Sequence, residues 1–174
     1  MNRFRILTPA TALGLGLTLL PGSAIAGTTT TYTYQVSGTE VYAAPTTGVF
    51  VGTAAGAADG AWWTEVDHER LGSDPNPRKI TGGSFTLTLV QSNPDHVVSG
   101  DFTDGGLIET LQSGAGCTNQ VYRVHGPTSA SAGGQTGTGA ADVTLTHHRT
   151  SILGHCIIYA ATVAGAFQVT LPTS

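Results

Sequence analysis

The sequence predicts an all-β protein, an antiparallel β-barrel of about eight strands, with a two-sheet β-sandwich as the alternative. Three observations carry this. Glycine and Asx-Gly pairs punctuate the chain at short intervals: Gly38, Asp59-Gly60, Gly82-Gly83, Gly100, Asp104-Gly105-Gly106 and the stretch 133–139. The runs between them are rich in Thr, Val, Tyr and Phe and alternate with period two, the signature of strands with one dry face. No interval offers ten or more residues with an apolar face at helical spacing. Parallel βαβ crossovers are therefore unavailable, and the strands must pair antiparallel through hairpins. An even spread of long alternating strands suits closure into a barrel better than a thick two-sheet core.

Residues 1–26 read as a signal peptide. Arg3 and Arg5 form a basic start, Ile6 to Leu20 an apolar stretch, and Ala24-Ile25-Ala26 a small-residue cleavage site. The apolar stretch is broken by Thr8, Pro9, Thr11 and Thr18 and is too short to span a bilayer comfortably. The expectation is a secreted protein, residues 27–174 forming a single β-barrel domain, with no membrane insertion after signal cleavage. Losing Arg3 and Arg5 makes a chain of formal net charge −4 more acidic still, and no Lys/Arg cluster offsets this, so nucleic acid is not an expected partner. Cys117 and Cys156 are the two cysteines. In an oxidising compartment they are expected to form one disulfide.

The strands are expected at 30–42, 46–54, 60–69, 80–91, 96–103, 106–112, 119–127 and 138–149. Residues 155–171 follow, as one long bent strand or as a hairpin at Gly165. The cleanest alternation is Ser84-Phe85-Thr86-Leu87-Thr88-Leu89, with Phe85, Leu87 and Leu89 on one face. Residues 72–77, with two prolines, cannot be strand interior. Residues 127–139, rich in Gly, Ser, Ala and Thr, predict a long mobile connection.

On the Gly-punctuated strands, the Gly82-Gly83-Ser84-Phe85 strand start and Gly100-Asp101-Phe102, most of residues 27–174 resembles small secreted calycin-like barrels, with the allene oxide cyclase and dirigent barrels as nearest analogues. The resemblance implies an antiparallel barrel of about eight strands whose interior holds an apolar ligand. It carries no catalytic residue onto this chain.

The densest chemistry is Trp62-Trp63-Thr64-Glu65-Val66-Asp67-His68-Glu69. Alternation places Trp62, Thr64, Val66 and His68 on one face. His147 and Arg149 follow Val143 and Leu145 on the face assigned inward. Arg123 and His125 follow Val121, although Tyr122 and Val124 on the opposite face have an equal claim to the core. The candidate ligand-binding set is thus Trp62 and Tyr159 as apolar walls, with His68, Arg123, His125, His147 and Arg149 as polar contacts. An apolar cavity with a few converging donors is the usual design of a small-molecule site. Arginine can hold a carboxylate in a fork, and imidazoles can move protons near neutral pH.

The expected function is binding of a small, largely apolar molecule or a carboxylate. The rivals are an extracellular or cell-surface interaction module, with an exposed aromatic patch around Trp63 and Tyr122, and a cyclase- or isomerase-like enzyme with His68 or His147 as base. No cofactor and no metal site is expected, since His68-Glu69 lacks a second helical histidine and His147 and His148 point to opposite faces. Asp101, Asp104 and Glu109 read as solvated turn residues. The oligomeric state is open.

Overall fold

A computed structural model describes residues 27–71, 76–90 and 97–173. The expected signal peptide, and residues 72–75 of the expected loop, lie outside the described residues. Nine strands form one sheet: β1 Thr29–Ala44, β2 Thr47–Gly56, β3 Gly60–His68, β4 Arg78–Leu89, β5 Val97–Asp101, β6 Leu107–Ser113, β7 Gln120–Ala132, β8 Gln135–Ile152 and β9 His155–Pro172. The order is β3-β2-β1-β9-β8-β7-β5-β4-β6, and the β3–β4 and β6–β7 pairings close it. Every pairing is antiparallel. The result is an eight-stranded closed barrel plus one extra strand, because the short β5 and β6 share the place between β4 and β7. Residues 155–171 form one strand, β9, without a hairpin at Gly165.

The alternation seen in the sequence becomes the division between inside and outside. Trp62, Thr64, Val66 and His68 are all buried, as are Phe85 and Leu87. An eight-stranded barrel is just wide enough for side chains to fill it. Here Phe167 packs at its centre, with its ring centroid 5.0 Å from Phe85 and 6.0 Å from Trp62. Leu87 and Val169 are likewise fully buried. The Trp62 indole Nε1 donates to the Ser37 carbonyl at 3.0 Å, across β2. Gly52 makes that crossing possible, since a Cβ there would lie 2.6 Å from Nε1 and 1.9 Å from the Ser37 oxygen.

One expectation is overturned. Residues 127–139 are not a long connection: β7 runs to Ala132, β8 starts at Gln135, and the join is Gly133-Gly134. Both glycines have positive φ, 55° and 77°, which matches a two-residue hairpin turn whose twist agrees with that of its strands. The small residues that suggested a loop are there because strands approach closely. A Cβ at Gly137 would sit 2.0 Å from the Thr170 carbonyl oxygen.

Cys117 and Cys156 are bonded, with Cα atoms 5.5 Å apart. The bridge ties a one-turn 3-10 segment, Ala115–Cys117, to the start of β9. A disulfide fits an extracellular protein. Among the described residues no helix is long and apolar enough to cross a membrane.

Candidate functional site

Three inward-facing series end in a polar residue at the same end of the barrel. They are Tyr34-Val36-Gly38-Glu40 on β1, Trp62-Thr64-Val66-His68 on β3, and Val143-Leu145-His147 on β8. The register brings these strand ends together: Thr47 on β2 faces both Ala44 and Asp67, and Thr39 on β1 faces Thr162 on β9, which also pairs with Thr146. The middle of the barrel is filled by aromatic and aliphatic side chains, but this end keeps a cavity of about 70 Å³. Its lining includes Glu40, Phe50, Val66, His68, Leu71, Ile108, Tyr122, Val124, Leu145 and His147.

Inside it, His147 Nε2 lies 3.0 Å from Glu40 Oε2. Both side chains are nearly buried, 12% and 11% exposed. With Glu40 as the carboxylate, Nε2 carries the hydrogen and donates. The other ring nitrogen, Nδ1, is buried with no hydrogen-bond partner. A buried polar atom normally finds a partner, so this one asks for an account. The Tyr122 ring meets the imidazole edge-on at 5.6 Å. Burial pushes the Tyr122 phenol above its ordinary value of 10, the Arg149 cation opposes that shift, and the Glu40 carboxylate adds to it. His68 Nδ1 donates to the Glu69 carbonyl at 2.8 Å. Leu71 and Tyr122 also line an open cleft of about 670 Å³, together with Asn76, Thr110, Leu111, Ser113 and Gln120.

Of the expected site residues, the structure brings His68 and His147 to one cavity. Trp62 faces inward as expected but belongs to the packed central layer. Arg149 reaches past the mouth, with Nη1 donating to the Gly114 carbonyl at 2.9 Å. Arg123 and His125 face outward, because Tyr122 and Val124 take the core side. There Arg123 holds Asp142 through two hydrogen bonds of 2.9 and 2.8 Å, and Glu109 lies 3.7 Å from Arg123 and 3.6 Å from His125. Hydrogen bonding from Arg123, more than its charge, keeps the Asp142 carboxyl below the usual carboxylate range. Glu109 therefore joins an ion-pair cluster and is not a free turn residue. Tyr159 is exposed, its ring 6.1 Å from that of His148. The aromatic patch expected around Trp63 and Tyr122 does not form: Trp63 is on the outer face and Tyr122 is buried inside.

Glu40 was missed. Its signal was its place in the alternation of Tyr34 and Val36, which points it inward at the end of the strand. The bulge at Val41, where the register with β2 shifts between Glu40 and Tyr42, breaks that parity near the end of the strand expected over 30–42. Among the described residues no group of His, Cys, Asp and Glu is arranged to hold a metal ion.

The raised phenols predict a sign for alkaline stability. Tyr34, like Tyr122, is pushed up mainly by burial. A phenol that stays protonated in the fold but ionises near 10 when unfolded adds stability below that pH, which is lost as pH rises toward the folded value. Tyr122→Phe should remove a late step from the 295 nm absorbance titration and flatten the loss of stability above pH 10.

Compared with protein-family models, curated proteins and solved structures, the chain matches none. A barrel is common to many functions and does not by itself select the allene oxide cyclase or dirigent families.

Proposed function

We propose that this is a secreted barrel that binds a small, largely apolar molecule by its polar end, at the mouth formed by Glu40, His147 and Tyr122. The observation that carries the reading is the buried, unpartnered Nδ1 of His147, a residue on the wall of a cavity that also carries Glu40 and His68 and is lined for the rest largely by apolar side chains such as Phe50, Val66, Ile108, Val124 and Leu145. At about 70 Å³ the cavity takes an end group and not a whole ligand. A liquid water occupies about 30 Å³, so the space suits a hydroxyl or carboxyl and the first carbon behind it. The body of the molecule then lies in the cleft beyond Leu71 and Tyr122. A neutral His147 accepts a hydrogen bond from a hydroxyl; as the imidazolium, balanced by Glu40, it donates to a carboxylate.

One observation favours a second reading, proton-transfer catalysis. An imidazole held by a carboxylate at 3.0 Å on the wall of a cavity is the kind of pairing that a general base uses. Binding comes first in either case.

The test is ¹⁵N-imidazole NMR of the purified protein titrated with hexanol and hexanoate, resolving its six histidines. A saturable shift at His147, with a smaller one at His68 and none at the other histidines, is the expected result, and Glu40→Gln should weaken it. A His147 signal unmoved at millimolar probe, or shifts confined to His125 on the outer face and the exposed His155, would overturn the reading.

A further inference from the structure

Beyond the barrel mouth, β8 and β9 continue as a two-stranded arm. β7 stops at its pairing with His147, and β1 leaves β9 at the Thr39–Thr162 pair. From there to the Leu153-Gly154 turn, among the described residues, the two arm strands pair only with each other. The arm carries Ile152, Leu153, Ile157, Ile158 and Tyr159 in exposed positions, Leu153 at 96%. Leu153 also has a left-handed φ of 50°, where asparagine or glycine would be easier.

An exposed strand edge is a template for pairing, and proteins usually guard such edges with lysine, proline or carboxylates. Residues 155–160 of β9 contain none of these. The bulge that leaves Tyr159 outside the β8 register blunts only the end of the edge nearest the barrel. The opposite edge, on β8, is partly engaged: the Arg149 amide donates to Asn119 Oδ1 at 3.3 Å.

We propose that a second copy of this chain pairs antiparallel along the free β9 edge, residues 155–160, about a two-fold axis, making the protein a dimer. Three features favour this occupant. The unmade backbone hydrogen bonds can be satisfied by another strand, whereas lipid would leave them unsatisfied. The chain is acidic overall, yet no carboxylate side chain follows Asp142, so two copies can meet here without opposed like charges. Ile157, Ile158 and Tyr159, the large apolar side chains of the paired segment, are 40%, 52% and 65% exposed, surface that a second copy would cover. The disulfide holds the arm in place at Cys156, which lowers the ordering cost of association.

Sedimentation equilibrium of the purified protein at up to roughly 100 µM, within the range of a weak homodimer, should show a monomer–dimer equilibrium. Ile158→Lys, exposed in the monomer, should weaken it at least about tenfold with unchanged thermal unfolding of the monomer. Leu153→Asn, at the turn and outside the paired segment, should leave it within about threefold. A protein that stays monomeric over this range overturns the proposal. So does a dimer indifferent to Ile158→Lys. Binding of a monomer to phosphatidylcholine vesicles, lost in Leu153→Asn, would assign the arm to a bilayer surface instead.

Discussion

Phe167→Ala is expected to destabilise the barrel by about 3–5 kcal/mol, the range for truncating a fully buried aromatic residue. Phe167 is 1% exposed and touches Phe85 on β4 and Trp62 on β3 from its own place on β9. It therefore joins opposite walls of the barrel as well as filling it. The walls cannot collapse into the vacancy, because backbone hydrogen bonds fix the circumference. The loss should accordingly fall toward the top of the range. At about 3–4 °C per kcal/mol for a chain of this size, thermal unfolding should drop by roughly 10–20 °C. Phe167→Leu refills most of the volume and should lose less than half as much. A loss below about 1.5 kcal/mol for the alanine variant would mean that the centre repacks and is not the rigid layer described.

That central layer explains what the sequence revealed and what it withheld. Strand positions were legible because each wall has one dry and one wet face, and a period-two pattern is local. The facing of Trp62, His68 and His147 followed directly. Arg123 and His125 were ambiguous because β7 has apolar residues on both faces there: Val121 on one, Tyr122 and Val124 on the other. Residues 127–139 misled because close strand approach demands the same small residues that loops use. Glu40 was hidden by a bulge, and its partner His147 is 107 residues away. No local pattern joins those two. The arm was hidden for a related reason: its strands are ordinary strands, and what makes them an arm is that β1 parts from β9 at Thr39 and β7 begins only at Gln120.

Reduction of Cys117–Cys156 is expected to cost about 4 kcal/mol in the chain-entropy account, given a loop of about 40 residues. The two cysteines are 39 positions apart, and the segment between them contains all of β7 and β8. In the unfolded chain the cross-link keeps the ends of this segment together; without it, folding must recover that closure. At the same conversion, thermal unfolding should fall by roughly 12–16 °C. The effect should also have a place. Cys156 lies in the arm, outside the barrel wall, so reduction removes the arm's tether to the 3-10 segment while leaving the barrel's hydrogen-bonded circuit closed. Amide exchange should therefore rise first at residues 148–160, before any change in the amides of β1, β2 and β3. The double replacement Cys117→Ser and Cys156→Ser, measured without reductant, separates the bridge from side effects of the reducing agent. If stability falls by less than about 1 kcal/mol, the denatured chain already holds this segment compact. If stability falls as expected but exchange rises uniformly, the arm is not an independent unit. In the expected case, loosening the arm also raises the ordering cost of pairing its edge with another copy, so reduction should weaken self-association even where the barrel remains folded.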